Sequence, residues 1–310
     1  MQYISTLILI LFVSSCYGTK NVTETQPEPV KKIAVVTEVP DVVETEPSSD
    51  DGEIQQMVEV VDNEGNTIAE VENEDEAIEV LKNIETKKLN DSVYFIKVAS
   101  HDKWQKLLQK NVSEKGNVNY LGFKKDKTEL KEYINYLSEN QPTEKWIKND
   151  KLAYWINAYN ALTVDLIIRN HPTKSIKNIK DPWDQRLWQF GDKWQNLNDI
   201  EHKILRKMNE PRIHFAIVCA SVSCPKLQNE AFTAANLEEQ LTNATKEFLA
   251  DTSKNELSKD RIKLSKIFKW FKGDFEQNGS LIDFLNQYSD VEISDKAKKN
   301  FKDYNWDLND

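Results

Sequence analysis

Apolar positions along this chain recur with a helical or strand period in most stretches, and are nearly absent from one long acidic stretch. Trp104, Leu107 and Leu108 fall at i, i+3 and i+4, and Leu130, Tyr133, Ile134 and Leu137 at i, i+3, i+4 and i+7, the spacing of amphipathic helices. Leu152–Ile168 differs. Trp155, Tyr159, Leu162 and Leu166 make one apolar stripe, and Ala153, Ile156 and Ile167 another, so this helix belongs at the centre of a fold. Asn236–Leu249 and Leu281–Tyr288 predict further helices. Asn198-Asp199-Ile200-Glu201 predicts a helix start, a cap with an acid three residues on.

Strand signals are fewer. Gly116–Tyr120 predicts a turn into a short strand, Trp188–Trp194 a hairpin about Gly191-Asp192, and Arg261–Leu264 a strand before a helix that Ser265 caps and that reaches Phe271. Ile213–Ala220, an apolar run between Pro211 and a Ser-rich turn, predicts a buried strand. Together these elements predict a helix-rich α+β single domain with a small β-sheet.

The N-terminal part reads differently. Tyr3–Val13 is almost wholly apolar but too short to span a bilayer as a helix; it suits the core of a signal peptide. Val13-Ser14-Ser15-Cys16 follows and resembles a bacterial lipobox, in which the Cys becomes the acylated first residue of the mature chain. Residues 1–16 are therefore expected to be a lipoprotein signal, with Cys16 the lipidation site.

Charge sharpens the division. Residues 21–80 hold 18 Asp/Glu against 2 Lys/Arg and no aromatic residue, which makes them −16 in a chain of −10 overall. Such a stretch buries too little apolar surface to offset chain entropy, so residues 17–90 are expected to be an acidic, largely disordered tether. One interruption is a hairpin signal, Met57–Val61 and Thr67–Val71 around Asp62-Asn63-Glu64-Gly65. The globular domain is expected at residues 91–310. With Lys20 counted apart, that domain and its approach carry about +5, without a compact Lys/Arg run among aromatics, so no nucleic-acid partner is expected. No cofactor is expected either. The expected partners are the membrane, through the lipid anchor, and an unknown peptide-like or small ligand. The expected location is extracytoplasmic.

Candidate chemistry concentrates in three places. Asn157 and Asn160 lie within the all-apolar helix, where a buried amide needs hydrogen-bond partners; they either tie down a neighbouring loop or wall a pocket. Glu201 and His202 open the next helix, with Arg206 one turn on, as a local ion-pair face or as site groups. The densest cluster runs from His214 through Cys219, Ser221 and Ser223 to Cys224-Pro225. In a strand, side-chain parity places Cys219 on the face opposite His214, which turns Cys219 toward the core and leaves a His214–Cys224 pair open. Three chemistries compete: a Cys219–Cys224 disulfide across the turn, a zinc site from His202, His214, Cys219 and Cys224, and a Cys224 nucleophile with His214 as base. In the last, Asn157, Asn160, Glu201 and His202 would orient groups or hold an oxyanion.

Several segments in order resemble the domain of unknown function 547 family. They are Leu152–Ala161 (LAYWINAYNA), Leu197–Arg206 with Ile200-Glu201-His202, Pro211–Ala216, Ser223-Cys224-Pro225, Leu264–Phe271 and Tyr304–Asn309. The resemblance spans roughly residues 100–310. It implies a domain found in secreted and lipoprotein bacterial chains with no settled activity. Its His and Cys-Pro motifs invite comparison with papain- or transglutaminase-like thiol enzymes, an analogy at the level of fold. The leading expectation is a lipid-anchored, thiol-dependent hydrolase or transferase acting on a peptide-like substrate. The rivals are a non-catalytic binding lipoprotein stapled by Cys219–Cys224, and a zinc-binding domain.

If Cys16 is the lipidation site, Cys16→Ser leaves the protein without acyl chains and in the soluble fraction. Metabolic labelling with a tagged fatty acid checks this; label retained on the variant would sink the lipobox reading.

Overall fold

One helix organises the structure, and its apolar wrapping in the sequence explains why. A computed structural model describes residues 58–61, 67–71 and 95–310, all within one unit spanning residues 35–310. The expected signal, Cys16 and most of the expected tether lie outside the described residues. Every residue from Leu152 to Ile168 in the long helix Lys148–Arg169 is buried, as a helix apolar on all sides must be. Asp102–Asn111 (α1), Tyr120–Lys125 (α2) and Lys127–Glu139 (α3) precede this helix, α4, in the chain. Helices α2 and α3 pack on α4, and α1 packs on both α2 and α3. Trp104 of α1 stacks on Tyr133 of α3 with ring centroids 5.8 Å apart and planes within 4°, so the spacing of Trp104 and of Leu130–Leu137 does mark core-facing stripes.

Among the described residues, three small sheets accompany the helices. The hairpin of the acidic arm forms where the alternation placed it: β1 (Val58–Val61) pairs antiparallel with β2 (Thr67–Val71), and β1 also pairs with β3 (Phe95–Lys97), giving the order β2-β1-β3. The second sheet is the expected hairpin, β4 (Trp188–Phe190) with β5 (Lys193–Gln195). In the third, β6 (Glu256–Leu257) pairs antiparallel and β8 (Lys298–Phe301) pairs parallel with β7 (Arg261–Leu264). Around this sheet gathers a second apolar cluster in which Phe215, Phe248, Phe268, Phe275 and Phe284 meet. Helix Leu237–Ala250 and helix Leu281–Tyr288 supply two of its walls. The protein is thus a helix-rich α+β domain with small sheets. Among the described residues no helix is long and apolar enough to cross a membrane.

Two expected strands are something else. Gly116–Tyr120 contributes only an isolated bridge, Val112 to Val118. Asn119 then accepts the Gly122 amide at 2.8 Å and starts a helix instead. Gly116 has φ +80°, and a Cβ there would lie 2.2 Å from the Lys226 Cβ, so the turn requires glycine. Ile213–Ala220 is not a strand. Pro211–Phe215 is a 3₁₀ turn with proline at its first position and the Glu210 carboxylate accepting the Arg212 amide at 3.1 Å. Proline presets the helical φ and its missing N–H is no loss at a helix start. A short apolar run fits a buried helical turn as well as a strand, and here the capping residues upstream settle it. The parity argument built on a strand falls with it.

What holds the segment after this turn is α4. The Asn160 Nδ2 donates to the Ala216 carbonyl at 2.9 Å, and its Oδ1 accepts from the Val218 amide at 3.0 Å. One turn earlier, Asn157 makes the same fork on Phe232, donating to its carbonyl at 2.7 Å and accepting from its amide at 3.0 Å. Each side-chain amide imitates a ladder partner for an irregular loop, so both asparagines tie loops down, the first of the two readings that the sequence left open.

Asn157→Ala would strip both polar atoms of Phe232 of their partner in a dry environment. A buried backbone group left without a partner costs about 1–3 kcal/mol, so an equilibrium urea titration is expected to show a loss of about 2–4 kcal/mol. A loss below about 0.5 kcal/mol, the range of an exposed substitution, would show that water replaces the amide.

Candidate functional site

A cavity of about 300 Å³ opens between the α4 helix, the residues after the 3₁₀ turn and the C-terminal segment, and Glu201, His202, His214, Cys219 and Cys224 all line it. Four of the six residues expected at the site therefore converge, with Cys219 added to them. Asn157 and Asn160 do not line it; their amides are consumed by the two loops.

Glu201 and His202 are presented by an irregular stretch. Asn196, rather than Asn198, caps the short helix by accepting the Asp199 amide at 2.6 Å. The chain then widens into a π-turn over Ile200–Ile204 and tightens into a 3₁₀ turn over Leu205–Met208. Such bulges re-aim side chains and recur at functional sites. Glu201 is buried, and Tyr159 of α4 donates to its Oε2 at 3.0 Å. Burial pushes the carboxyl up from 4.5 to about 7, against the Tyr159 hydrogen bond and the Arg206 charge.

The imidazoles belong to a chain of charge. Arg206 grips Asp274 with two nitrogens, Nε to Oδ2 at 2.5 Å and Nη2 to Oδ1 at 2.7 Å, and gives Nη1 to His202 Nδ1 at 2.7 Å. His214 Nε2 stands 2.8 Å from Asp274 Oδ2, and its ring stacks on Phe271 with centroids 3.9 Å apart. Burial tends to raise Asp274, but hydrogen bonds from His214 and Arg206 outweigh it and hold the carboxyl well below its usual range. A carboxylate only accepts, so Nε2 is the protonated nitrogen of His214 and Nδ1 keeps its lone pair. By the same argument His202 accepts at Nδ1, since guanidinium only donates. Burial holds both imidazoles below their usual pKa, so both are neutral at pH 7.

Both cysteines pack in the core and line the cavity, but to different depths. Cys219 is partly exposed at the edge of the core; Cys224 is buried, at 4% exposure. The Cys219 Sγ lies 3.1 Å from Ser221 Oγ and 3.2 Å from Tyr304 Oη. Burial pushes this thiol up, but hydrogen bonds from Cys224, Ser221 and Tyr304 more than reverse that and set it below the ordinary thiol value. Cys224 Sγ accepts the Cys219 amide at 2.8 Å, and burial together with the neighbouring Cys219 sulfur drives its own pKa well up. A His214–Cys224 dyad is not formed: the polar partner of His214 is Asp274. Both thiols are free, so the expected staple is absent from this structure. Among the described residues no group of three or more His, Cys, Asp or Glu is placed to hold a metal ion, which removes the geometric basis of the zinc reading.

The C-terminal segment finishes the site. Val222 and Ser223 amides donate to the Asp307 and Asn305 carbonyls at 2.8 and 3.2 Å, and Ser175 donates to the Trp306 carbonyl at 2.7 Å. This strap brings Tyr304 to Cys219 and builds an aromatic wall: Tyr304 and Trp306 centroids are 4.6 Å apart, Trp270 and Tyr304 4.8 Å, Trp183 and Trp306 5.9 Å. Asp274, Tyr304 and Tyr159 were not singled out in the sequence as site groups, whereas Ser221 lay within the His/Cys cluster. Tyr304 and Tyr159 do lie in the motifs quoted above, whereas nothing in Lys272-Gly273-Asp274 marks that aspartate.

Fold and cavity together define a helix-rich α+β domain with a cleft lined by a thiol, a carboxyl held near neutrality and imidazoles. Residues 143–249 match the family described as "Protein of unknown function, DUF547", and this supports that domain family for the segment. The match is narrower than the span of resemblance read from the motifs. It takes in α4, the π-turn and both cysteines, and ends before Asp274, Trp270 and Tyr304. Comparison with the curated proteins and with the solved structures returned no match.

The Glu201 carboxyl makes a checkable demand on stability. Its folded pKa is raised, so the fold favours its neutral form; that contribution is full below pH 4.5 and is lost as pH rises through about 7. Wild type should therefore lose about 3 kcal/mol relative to Glu201→Gln across that window, since a tenfold change in proton affinity is worth about 1.4 kcal/mol. Parallel denaturant titrations of the two proteins at several pH values read this directly, and curves that stay parallel would refute it.

Proposed function

We propose that this protein is a lipid-anchored, extracytoplasmic thiol hydrolase or transferase that acts on the carbonyl group of a peptide-like substrate, with Cys219 as its nucleophile. The observation that carries the reading is the Cys219 thiol. It is reachable through the cavity, surrounded by hydroxyls that favour its thiolate, and shares the cavity with a carboxyl whose pKa is about 7. A nucleophilic thiol needs an accessible position and a stabilised thiolate, and a general acid–base works best with a pKa near the operating pH. The anchor rests on Val13-Ser14-Ser15-Cys16 after an apolar run.

In the chemistry this arrangement favours, the Cys219 thiolate adds to the carbonyl carbon and the C–S bond forms. Tyr304 and Ser221 hydroxyls, freed from the thiolate as its charge moves away, stand beside the developing oxyanion. The amine or alcohol departs with a proton from Glu201, leaving a thioester. Water or an acceptor amine then attacks that thioester and returns the proton to Glu201. Asp274 positions His214, whose free Nδ1 is a second proton acceptor on the cavity wall. The thiol and the carboxyl also oppose each other: an ionised Glu201 raises the Cys219 pKa, so one proton shared between them is the stable condition near neutrality.

The test is a peptide-like electrophile, a peptidyl chloromethyl ketone, followed by mass mapping. One equivalent should attach to Cys219, none to Cys219→Ala, and Glu201→Gln should slow turnover of an activated ester about a hundredfold, within the usual worth of a general acid–base. Label on Cys224 instead, or ester turnover unchanged in Cys219→Ala, overturns the proposal. The aromatic wall also favours a second reading, a non-catalytic module that binds a ring-bearing ligand; ligand binding with no covalent label at Cys219 would decide for it.

A further inference from the structure

The acyl-transfer reading uses one thiol and leaves the other unexplained. Cys224 sits five residues on, buried, with its sulfur 2.8 Å from the Cys219 amide nitrogen, and both sulfurs line the same cavity. A buried cysteine that merely filled space would have no reason to be in contact with the reactive one. Between them the chain reverses at Ala220, whose φ is +55°, a conformation that L side chains adopt only with strain. Ser221 packs its hydroxyl on the first sulfur, while Val222, 48% exposed, caps the outside of the turn. The pair is therefore ordered: one sulfur is open to reagents, and the other waits behind it within the same turn.

We propose that Cys219 and Cys224 form a thiol–disulfide exchange site, in which Cys219 takes up a small disulfide from the cavity and Cys224 resolves the adduct. This goes beyond the acyl-transfer reading and does not rest on it. In the first step the Cys219 thiolate attacks one sulfur of the incoming disulfide. That S–S bond breaks, a mixed disulfide forms on Cys219, and the leaving thiolate picks up the proton Cys219 gave up. In the second step Cys224 loses its proton, attacks the Cys219 sulfur and expels the second small thiol, which takes that proton. Two protein thiols are oxidised to one disulfide, and one small disulfide is reduced to two thiols. Exchange runs through the thiolate of the attacking cysteine, which assigns the first step to the open sulfur rather than the buried one. Closure brings the two sulfurs to a bond of about 2.05 Å. The exposed Val222-Ser223 turn has to follow it, and with it the strap that both residues hold through Asp307 and Asn305. Oxidation is thereby expected to remove the nucleophile from the cavity and to disturb the Tyr304 wall in one event.

The experiment uses the full chain, reduced, desalted and exposed to glutathione disulfide, then quenched in acid and digested with trypsin. Cleavage after Arg212 and Lys226 yields a single peptide carrying both cysteines. Wild type should pass through a transient glutathione adduct on Cys219 to an intramolecular disulfide, losing all alkylation of Cys219 by iodoacetamide until a dithiol reductant restores it. Cys224→Ser should stop at the adduct, and Cys219→Ser should take up none. A persistent adduct in wild type, first attack at Cys224, or no reaction at either sulfur overturns the proposal. The wild-type time course decides the matter even if a variant fails to fold. No acyl substrate enters the assay, so a negative result leaves the acyl-transfer reading standing, and inactivity toward esters leaves this one standing.

Discussion

The side-chain amide of Asn160 is the contact on which the site depends. It projects from a helix buried along every side from Leu152 to Ile168, and meets a loop that has no strand beside it. By donating to Ala216 and accepting from Val218 it satisfies two backbone groups that would otherwise lie unpaired in a dry interior, each a loss of about 1–3 kcal/mol. It also fixes the chain one residue before Cys219. The reversal at Ala220 and the bridge from Ser221 to Leu308 then follow from a point already held. Asn157 repeats the device one turn earlier for the loop at Phe232. An apolar residue at either position would suit the helix better and leave the loop without a partner.

The electrostatics of the cavity follow from where Arg206, behind its wall, is placed. Arg206 is turned toward Asp274 with two hydrogen bonds and toward His202 with a third, so each of its three nitrogens is engaged by a neighbour. Asp274 in turn is saturated by Arg206 and His214. The buried part of the cavity wall is left with uncharged imidazoles, hydroxyls and the Glu201 carboxyl, whose burial Tyr159 and Arg206 offset only in part. That is why Glu201 drifts upward to about 7 while Asp274, also in a poorly solvated position, stays ionised. Two acids of similar chemistry are separated by whether a guanidinium faces them. A lysine in place of Arg206 would present a single point charge, unable to hold Asp274 through two nitrogens and His202 through a third.

Much of the fold was legible in the sequence because it rests on periodicity. The core stripes of α1 and α3, the central helix, the hairpin about Gly191 and the strand at Arg261–Leu264 all depend on local patterns that the tertiary structure merely buries. Even the hairpin at Val58–Val71 lies where alternation put it, although its third strand, at Phe95–Lys97, could not be foreseen from the pattern of the arm. The failures share a cause. At Ile213–Ala220 the apolar run has no period of its own, and the decisive features were one proline and one capping glutamate at its edge. Once that segment became a 3₁₀ turn and an irregular loop, the alternation of faces that turned Cys219 toward the core no longer applied. The composition of the site was legible as a cluster of His, Cys and Glu. Its wiring was not, since Asp274 and Tyr304 reach it from more than 50 residues away along the chain.

The difference between the two cysteines shows what such wiring decides. Nothing in Cys219-Ala-Ser-Val-Ser-Cys224 distinguishes one sulfur from the other by composition; both have serines nearby and apolar residues on one side. The distinction arises from the backbone. Ala220 reverses the chain, and the amide of Cys219 then points at the sulfur of Cys224. The Cys219 side chain is thereby left to face the cavity and the Tyr304 hydroxyl brought there by the strap. An amide N–H donated to a sulfur stabilises its thiolate, yet at Cys224 burial and the adjoining sulfur outweigh that contribution. At Cys219 the balance runs the other way, because two hydroxyls and the second thiol act together against burial. The more acidic sulfur is the one open to reagents and the less acidic one lies behind it, and a single αL residue between them sets that order.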